Sequence, residues 1–173
     1  MNYFYKGILN FNSISKKNEK SLQKEIENYF NKHLKKIRFT HKQLSSKGYK
    51  TGIPDGILYY KLKKCIFELK YTLAYGYDYK KQIIQAICYY LLDPSNKTII
   101  IASEKYFDYL YINENIDIIN KYKERLLIYL QDFSPRTIAD NIVINEDFII
   151  HKNKINKEIN IKQIINNIFI NGK

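Results

Sequence analysis

Thr51-Gly52-Ile53-Pro54-Asp55-Gly56, then Ile57-Leu58-Tyr59-Tyr60, a lysine turn and Cys65-Ile66-Phe67-Glu68-Leu69-Lys70, reads as one β-hairpin carrying two carboxylates and a lysine. Both arms, 57–60 and 65–71, are rich in β-branched and aromatic residues, and Lys61-Leu62-Lys63-Lys64 lies between them as the turn. Glu68 and Lys70 are two residues apart, so their side chains leave one face of the strand while Phe67 and Leu69 leave the other. A two-residue turn sets Asp55 opposite Glu68, and a four-residue turn sets it opposite Lys70. Either register gathers the three polar groups on one face.

Two carboxylates so close repel each other unless a cation lies between them. A few hard oxygen ligands with positions left for water and phosphate describe a magnesium site, and a neighbouring lysine can orient a water against the phosphate. The bland alternative is an exposed hairpin whose Glu68 and Lys70 join a cross-strand ion pair worth a few tenths of a kcal/mol. Pro54-Asp55 upstream and an apolar strand on each arm weigh toward the first reading.

Pro54-Asp55 at the head of one strand and Glu68-x-Lys70 on the next resemble the signature of the PD-(D/E)XK nuclease superfamily. Gly52-Ile53-Pro54-Asp55 with Phe67-Glu68-Leu69-Lys70 is similar to the wording of VRR-type nucleases and archaeal Holliday junction resolvases. The resemblance covers about residues 18–102. It implies an α/β fold with a restriction-endonuclease-like αβββαβ core and a mixed central sheet, extended here by an α+β C-terminal segment, 103–173, within a single domain of 1–173.

From Asn18 to about Ile37 the residues Leu22, Ile26, Tyr29, Phe30, Leu34 and Ile37 form one helical stripe, with Asn18 as N-cap. Glu19 lies within the stripe, where a carboxylate needs a cation or a donor; its plain alternative is a first-turn acid favoured by the helix dipole. By resemblance Glu19 joins the metal site, with Glu25 in reserve. A strand is expected near 37–40, followed by a basic connector to Lys50. Thr72 to Tyr79 is aromatic (Tyr75, Tyr77) and suits either base stacking or cover for the sheet edge.

Lys80 to Leu92 reads as a buried helix with one polar line, Gln82, Gln85 and Tyr89, within about 60° on the helical wheel. Unsatisfied amides cost about 1–3 kcal/mol, so this line should face something polar. Gln85-x-x-x-Tyr89 looks like the accessory motif that follows Glu-x-Lys in the superfamily, with Gln82 as the competing glutamine. Lys97 to Ala102 is a continuous apolar strand, parallel to the Glu68 strand through the helix between them. Beyond it the reading is a short helix over 104–111 capped by Ser103, an amphipathic helix over 116–132, a break at Ser134-Pro135-Arg136, strand over 141–151 and a final helix within 152–170.

The chain has 173 residues and a net charge of +12. That charge agrees with a polyanionic partner, although Lys, Asn, Ile and Tyr are also what an AT-rich genome accumulates. Cys65 and Cys88 sit in apolar contexts as buried free thiols, and His33, His41 and His151 lack metal spacing. No run suits a membrane span or a signal peptide, so the expected location is intracellular.

The resulting expectation is a magnesium-dependent DNA nuclease, with Mn2+ as a substitute and RNA as the alternative substrate. Asp55 and Glu68 hold the metal, the resemblance adds the Leu69 carbonyl as a further ligand and Glu19 to complete the site or position a second ion, Lys70 acts on the attacking water, and Gln85 with Tyr89 braces Lys70 or the scissile strand. By resemblance the cut leaves a 5′ phosphate, and a homodimer is compatible with the chain. The competing expectation is a nucleic-acid-binding or partner-interaction module without turnover on the same fold.

Overall fold

The computed structural model describes residues 19–70, 77–103, 105–154 and 161–171. The side chains of Glu19, Ser21, Leu22, His33, Tyr77, Ile161, Ile170 and Asn171 are not among what it describes. The sequence expectations for Asn18, Tyr75 and Glu104 lie outside the described residues.

Helix α1 (Glu19–His33) leads into β1 (Arg38–Thr40), β2 (Gly56–Tyr60) and β3 (Lys63–Leu69). Helix α2 (Tyr77–Leu92) then connects to β4 (Asn96–Ala102), giving the order helix, three strands, helix, strand. The five-stranded sheet has the order β1-β2-β3-β4-β5, where β5 is Phe107–Tyr111. Only β3 and β4 pair in parallel; the other neighbours are antiparallel. The chain is thus α/β with a mixed open sheet and, among the described residues, five α-helices, the last three being α3 (Ile116–Leu130), α4 (Pro135–Asn141) and α5 (Ile161–Asn171).

Alternation along the strands makes both faces of the sheet apolar. Ile57, Ile66, Ile99, Ile101 and Leu110 point to the face covered by α2, behind which lie α3 and α4. Leu58, Cys65, Phe67, Leu69, Ile100 and Phe107 point to the other face, beneath Ile26 and Phe30 of α1, Leu34 just after it, and Ile165, Ile168 and Phe169 of α5. A sheet buried on both faces reads as near-continuous hydrophobic runs, which is why β3 and β4 look apolar throughout.

The hairpin turn is shorter than Lys61–Lys64. Tyr60 pairs with Lys63, leaving Lys61 and Leu62 as a two-residue loop with Lys61 at φ +54°. A positive φ at the first loop position matches the twist that two-residue hairpins need. Because Gly56 pairs with Phe67, Asp55 stands beside Glu68, the two-residue register.

Three sequence expectations in the C-terminal segment are corrected. Residues 105–111 do not form a helix; Phe107–Tyr111 is β5, antiparallel to β4. Ser103 Oγ accepts from the amides of Lys105 and Tyr106, making a reverse turn where a helix cap was expected. Residues 141–151 contain no strand. They run beside β5, touching it through the isolated bridge Tyr109–His151, while Asn115 Oδ1 accepts from the Ile149 amide at 2.7 Å and its Nδ2 donates to the Ile149 carbonyl. A side chain here takes main-chain groups that a sheet ladder would have used. Ser134-Pro135 interrupts the chain after α3 but also starts α4, with Ser134 Oγ accepting from the Thr137 amide and proline in the first turn.

Candidate active site

The open end of the hairpin is held by its own carboxylates. Glu68 Oε1 accepts from the Asp55 amide at 3.1 Å, and Asp55 Oδ2 accepts from the Leu69 amide at 2.7 Å. Each acid takes a main-chain hydrogen of the neighbouring strand, at the point where Pro54 has ended the regular pairing. Glu68 is 4 % exposed, which makes these bonds essential to its burial. From α1, Gln23 Nε2 donates to the Asp55 carbonyl at 2.9 Å, so helix, β2 and β3 meet at this point.

Gly56 lets the chain enter β2 under an aromatic roof. A Cβ there would lie 2.6 Å from Phe39 Cε1, and Phe39 is itself packed against Phe30 and Phe67. Only glycine fits between Asp55 and that ring.

Gln85 and Tyr89 act as a pair. Gln85 Nε2 donates to Tyr89 Oη at 2.7 Å, and Tyr89 Oη donates to the Ile53 carbonyl at 3.4 Å, two residues before Asp55. Burial raises the Tyr89 pKa, and the negative charges of Glu68 and Asp55 add to the effect, so the phenol remains a neutral donor beside the two acids. Gly52 lies against the same ring; a Cβ there would be 2.6 Å from Tyr89 Cε1. Gln82, the competing glutamine, has its Oε1 buried without a hydrogen-bond partner.

Lys70 follows Glu68 by two residues, and its amide continues the ladder by donating to the Ala102 carbonyl at 3.0 Å. The strand alternation therefore carries past Leu69 and keeps Lys70 on the Glu68 face. Main-chain groups of adjacent residues point to opposite sides of a strand, so the Leu69 carbonyl leaves β3 on the Asp55 side. Glu19 opens α1 one turn before Gln23, and its side chain lies outside what is described. Glu25 is about 200° round the helix from Gln23 and does not join the group.

The chain gives no match to any known protein family, to any curated protein or to any solved structure. The site therefore stands on its own geometry. Among the described residues, no three His, Cys, Asp or Glu side chains cluster in a way that could hold a metal ion. The oxygen donors that are brought together are two carboxylates and one main-chain carbonyl, a hard set that suits magnesium in chemistry.

Sequence reasoning missed Asp108. It is fully buried on β5, with Oδ2 accepting from Tyr79 Oη and Oδ1 from the Asn153 amide, both at 2.8 Å. The pairings Glu68–Ile101 and Ile101–Asp108 put it in the same cross-strand row as Glu68. Expecting a helix over 104–111 hid this placement; the alternation of Phe107, Asp108, Tyr109 and Leu110 was the available signal. Gln23 was missed because a glutamine on a lysine-rich helix looks like solvated surface. Cys65 and Cys88 are both free and buried; burial holds both thiols up, Cys88 at about 12.

Proposed function

We propose that this chain is a magnesium-dependent nuclease of the PD-(D/E)XK type acting on DNA. The observation that carries the reading is the reciprocal clasp in which Asp55 and Glu68 each accept a main-chain hydrogen from the other's strand, with Lys70 next along the same face. The element order and the parallel β3–β4 pair agree with a restriction-endonuclease-like core. A magnesium ion held by Asp55, Glu68 and the Leu69 carbonyl, with Glu19 as a further carboxylate, would supply charge stabilisation to a phosphoryl group under attack.

The chain's own residues do the rest. Lys70 Nζ donates a hydrogen bond to the oxygen of the attacking water and steadies the hydroxide as its proton passes to solvent, while the P–O3′ bond breaks and the 3′ oxygen takes a proton from solvent. Gln85 and Tyr89 fix the Ile53-Pro54-Asp55 main chain, and so the direction of the Asp55 carboxylate. Main-chain amides and Gln23 keep both acids in place before substrate arrives, so little reorganisation is left for the reaction itself.

The test is conversion of supercoiled plasmid to nicked or linear forms in Mg2+, Mn2+ or EDTA. Cutting with either metal and none in EDTA is expected, together with loss of cutting in Asp55→Asn and Lys70→Ala. Wild-type rates in either variant would overturn the assignment. DNA binding without metal-dependent cutting would identify the chain as a binding module without turnover.

A further inference from the structure

The strand directions sort charge along the sheet. β1 begins, β2 ends, β3 begins and β4 begins at the hairpin end, opposite Asp55 and Glu68. Of the ten residues 35–38, 61–64 and 96–97 of β1 to β4 and their turns that meet there, seven are Lys or Arg, against two acids nearby, Asp93 in the turn before β4, paired with Lys64, and Glu114 just past the end of β5, bonded to His151. The whole chain has 29 Lys and Arg in 173 residues, so general lysine enrichment does not account for this end.

Three of these cations are committed within the protein, Lys97 by a bond to the Pro94 carbonyl at 3.4 Å. Lys64 pairs with Asp93 at 3.0 Å, and Lys63 donates to the Phe169 carbonyl at the end of α5. Lys35 and Lys36 stand exposed in the turn after α1, where they also complement the helix dipole. Lys61 belongs to the hairpin loop, has no helix end to neutralise, and lies 5.5 Å from the Tyr60 ring centroid. Arg38 stacks on Tyr59 at 4.6 Å, which holds its guanidinium at the sheet edge.

We propose that this hairpin end is a second contact surface for the sugar–phosphate backbone of a nucleic acid, separate from the acid pair. Lys35, Lys36 and Lys61 are its outward contacts, with Arg38 beside them. Lys63 and Glu68 are five residue steps apart along β3, about 17 Å, close to half a turn of duplex. One nucleic acid can therefore touch both ends of the sheet. Tyr59 and Tyr60 are half-buried and capped by cations, so the contact reads backbone charge and not base identity. Leu62 is the one fully exposed apolar side chain of the loop, too little to anchor the end in a lipid surface. Only the choice of nucleic acid as the polyanion rests on the proposed function.

The test is fluorescence anisotropy with a labelled 20-base-pair duplex in EDTA, over a series of KCl concentrations. The combined Lys35→Glu, Lys36→Glu, Lys61→Glu protein should bind about tenfold or more weakly at 100 mM KCl, with the salt slope reduced by about three. A control with the same charge change at Lys121, Lys123 and Arg125, all exposed on α3 away from both ends of the sheet, should stay within about twofold of wild type. Wild-type binding by the first protein, equal losses in both, or preference of the wild type for phosphatidylserine vesicles over duplex would each overturn the proposal. Asp55→Asn separates the two claims: it should keep duplex affinity while losing cutting. If wild type binds in this pattern yet never cuts, the nuclease reading falls and the contact surface stands.

Discussion

At the end of the sheet where β2 begins, the carboxylates of Asp55 and Glu68 are drawn inward, tied to main-chain amides and backed by Tyr89. At the hairpin end, seventeen ångströms away by strand rise (~17 Å), the lysines of the turns reach outward into solvent. The same strands thus bury one sign of charge and display the other. A buried charge must have its partners built into the fold, so its position is fixed to fractions of an ångström. An exposed charge acts through its field and tolerates movement, and it loses strength in salt. The first arrangement suits bond-breaking chemistry. The second suits capture and orientation of a long ligand.

Four expected outcomes would break or sharpen that contrast. The largest concerns Lys70→Met, which should lower metal-dependent plasmid cutting by about 10³-fold while leaving the melting temperature within a few degrees; equal cutting by variant and wild type would empty the acid end of its proposed chemistry. Next, Gly56→Ala should cost about 1–3 kcal/mol in urea unfolding, because the new methyl meets the Phe39 ring. Leu62→Ala at the opposite end, where the side chain is 99 % exposed, should stay within about 0.5 kcal/mol. Similar costs at both positions would show that the two ends are packed alike.

Smaller again is Tyr89→Phe, which removes the hydroxyl that joins Gln85 to the Ile53 carbonyl and should cost about 1 kcal/mol of stability. The smallest effect belongs to Asp93. Burial alone would raise its pKa, but hydrogen bonds from Ser95 and Lys64, with the Lys64 charge, hold it below the usual carboxylate value. Its contribution is therefore present above about pH 4 and fades as the pH falls through the lowered value. Asp93→Asn should lower the melting temperature slightly at pH 6 and match wild type near pH 2, by at most about 1 kcal/mol. A gap that widens toward acid pH would contradict this account of the Lys64–Asp93 pair.

The contrast also explains what could be read from the sequence. Glu68 and Asp55 were legible because strand alternation and a short turn leave few ways to place them, and Gln85 with Tyr89 followed from helical spacing on an otherwise apolar helix. β5 was not legible: Asp108 shares the core face with Leu110, and a charged residue there disguises the period-two alternation against Phe107 and Tyr109 on the other face. Val143, Ile144, Phe148 and Ile149 carry the residue types of a strand, but Asn115, 34 residues earlier, competes for the main chain of Ile149. No local pattern records such a distant competitor. The lysines of the hairpin end were visible one by one, yet their convergence appeared only once the strand directions were known.

The edges of the sheet have a further consequence. β1 offers three residues, with charged Arg38 at its start, and the outer side of β5 is bonded to His151 and Asn153. A chain so rich in isoleucine and tyrosine would otherwise present a template on which identical molecules could stack into fibrils. With one margin cut short and the other already occupied, the sheet has little room to grow by recruiting its own copies, even when the protein is concentrated.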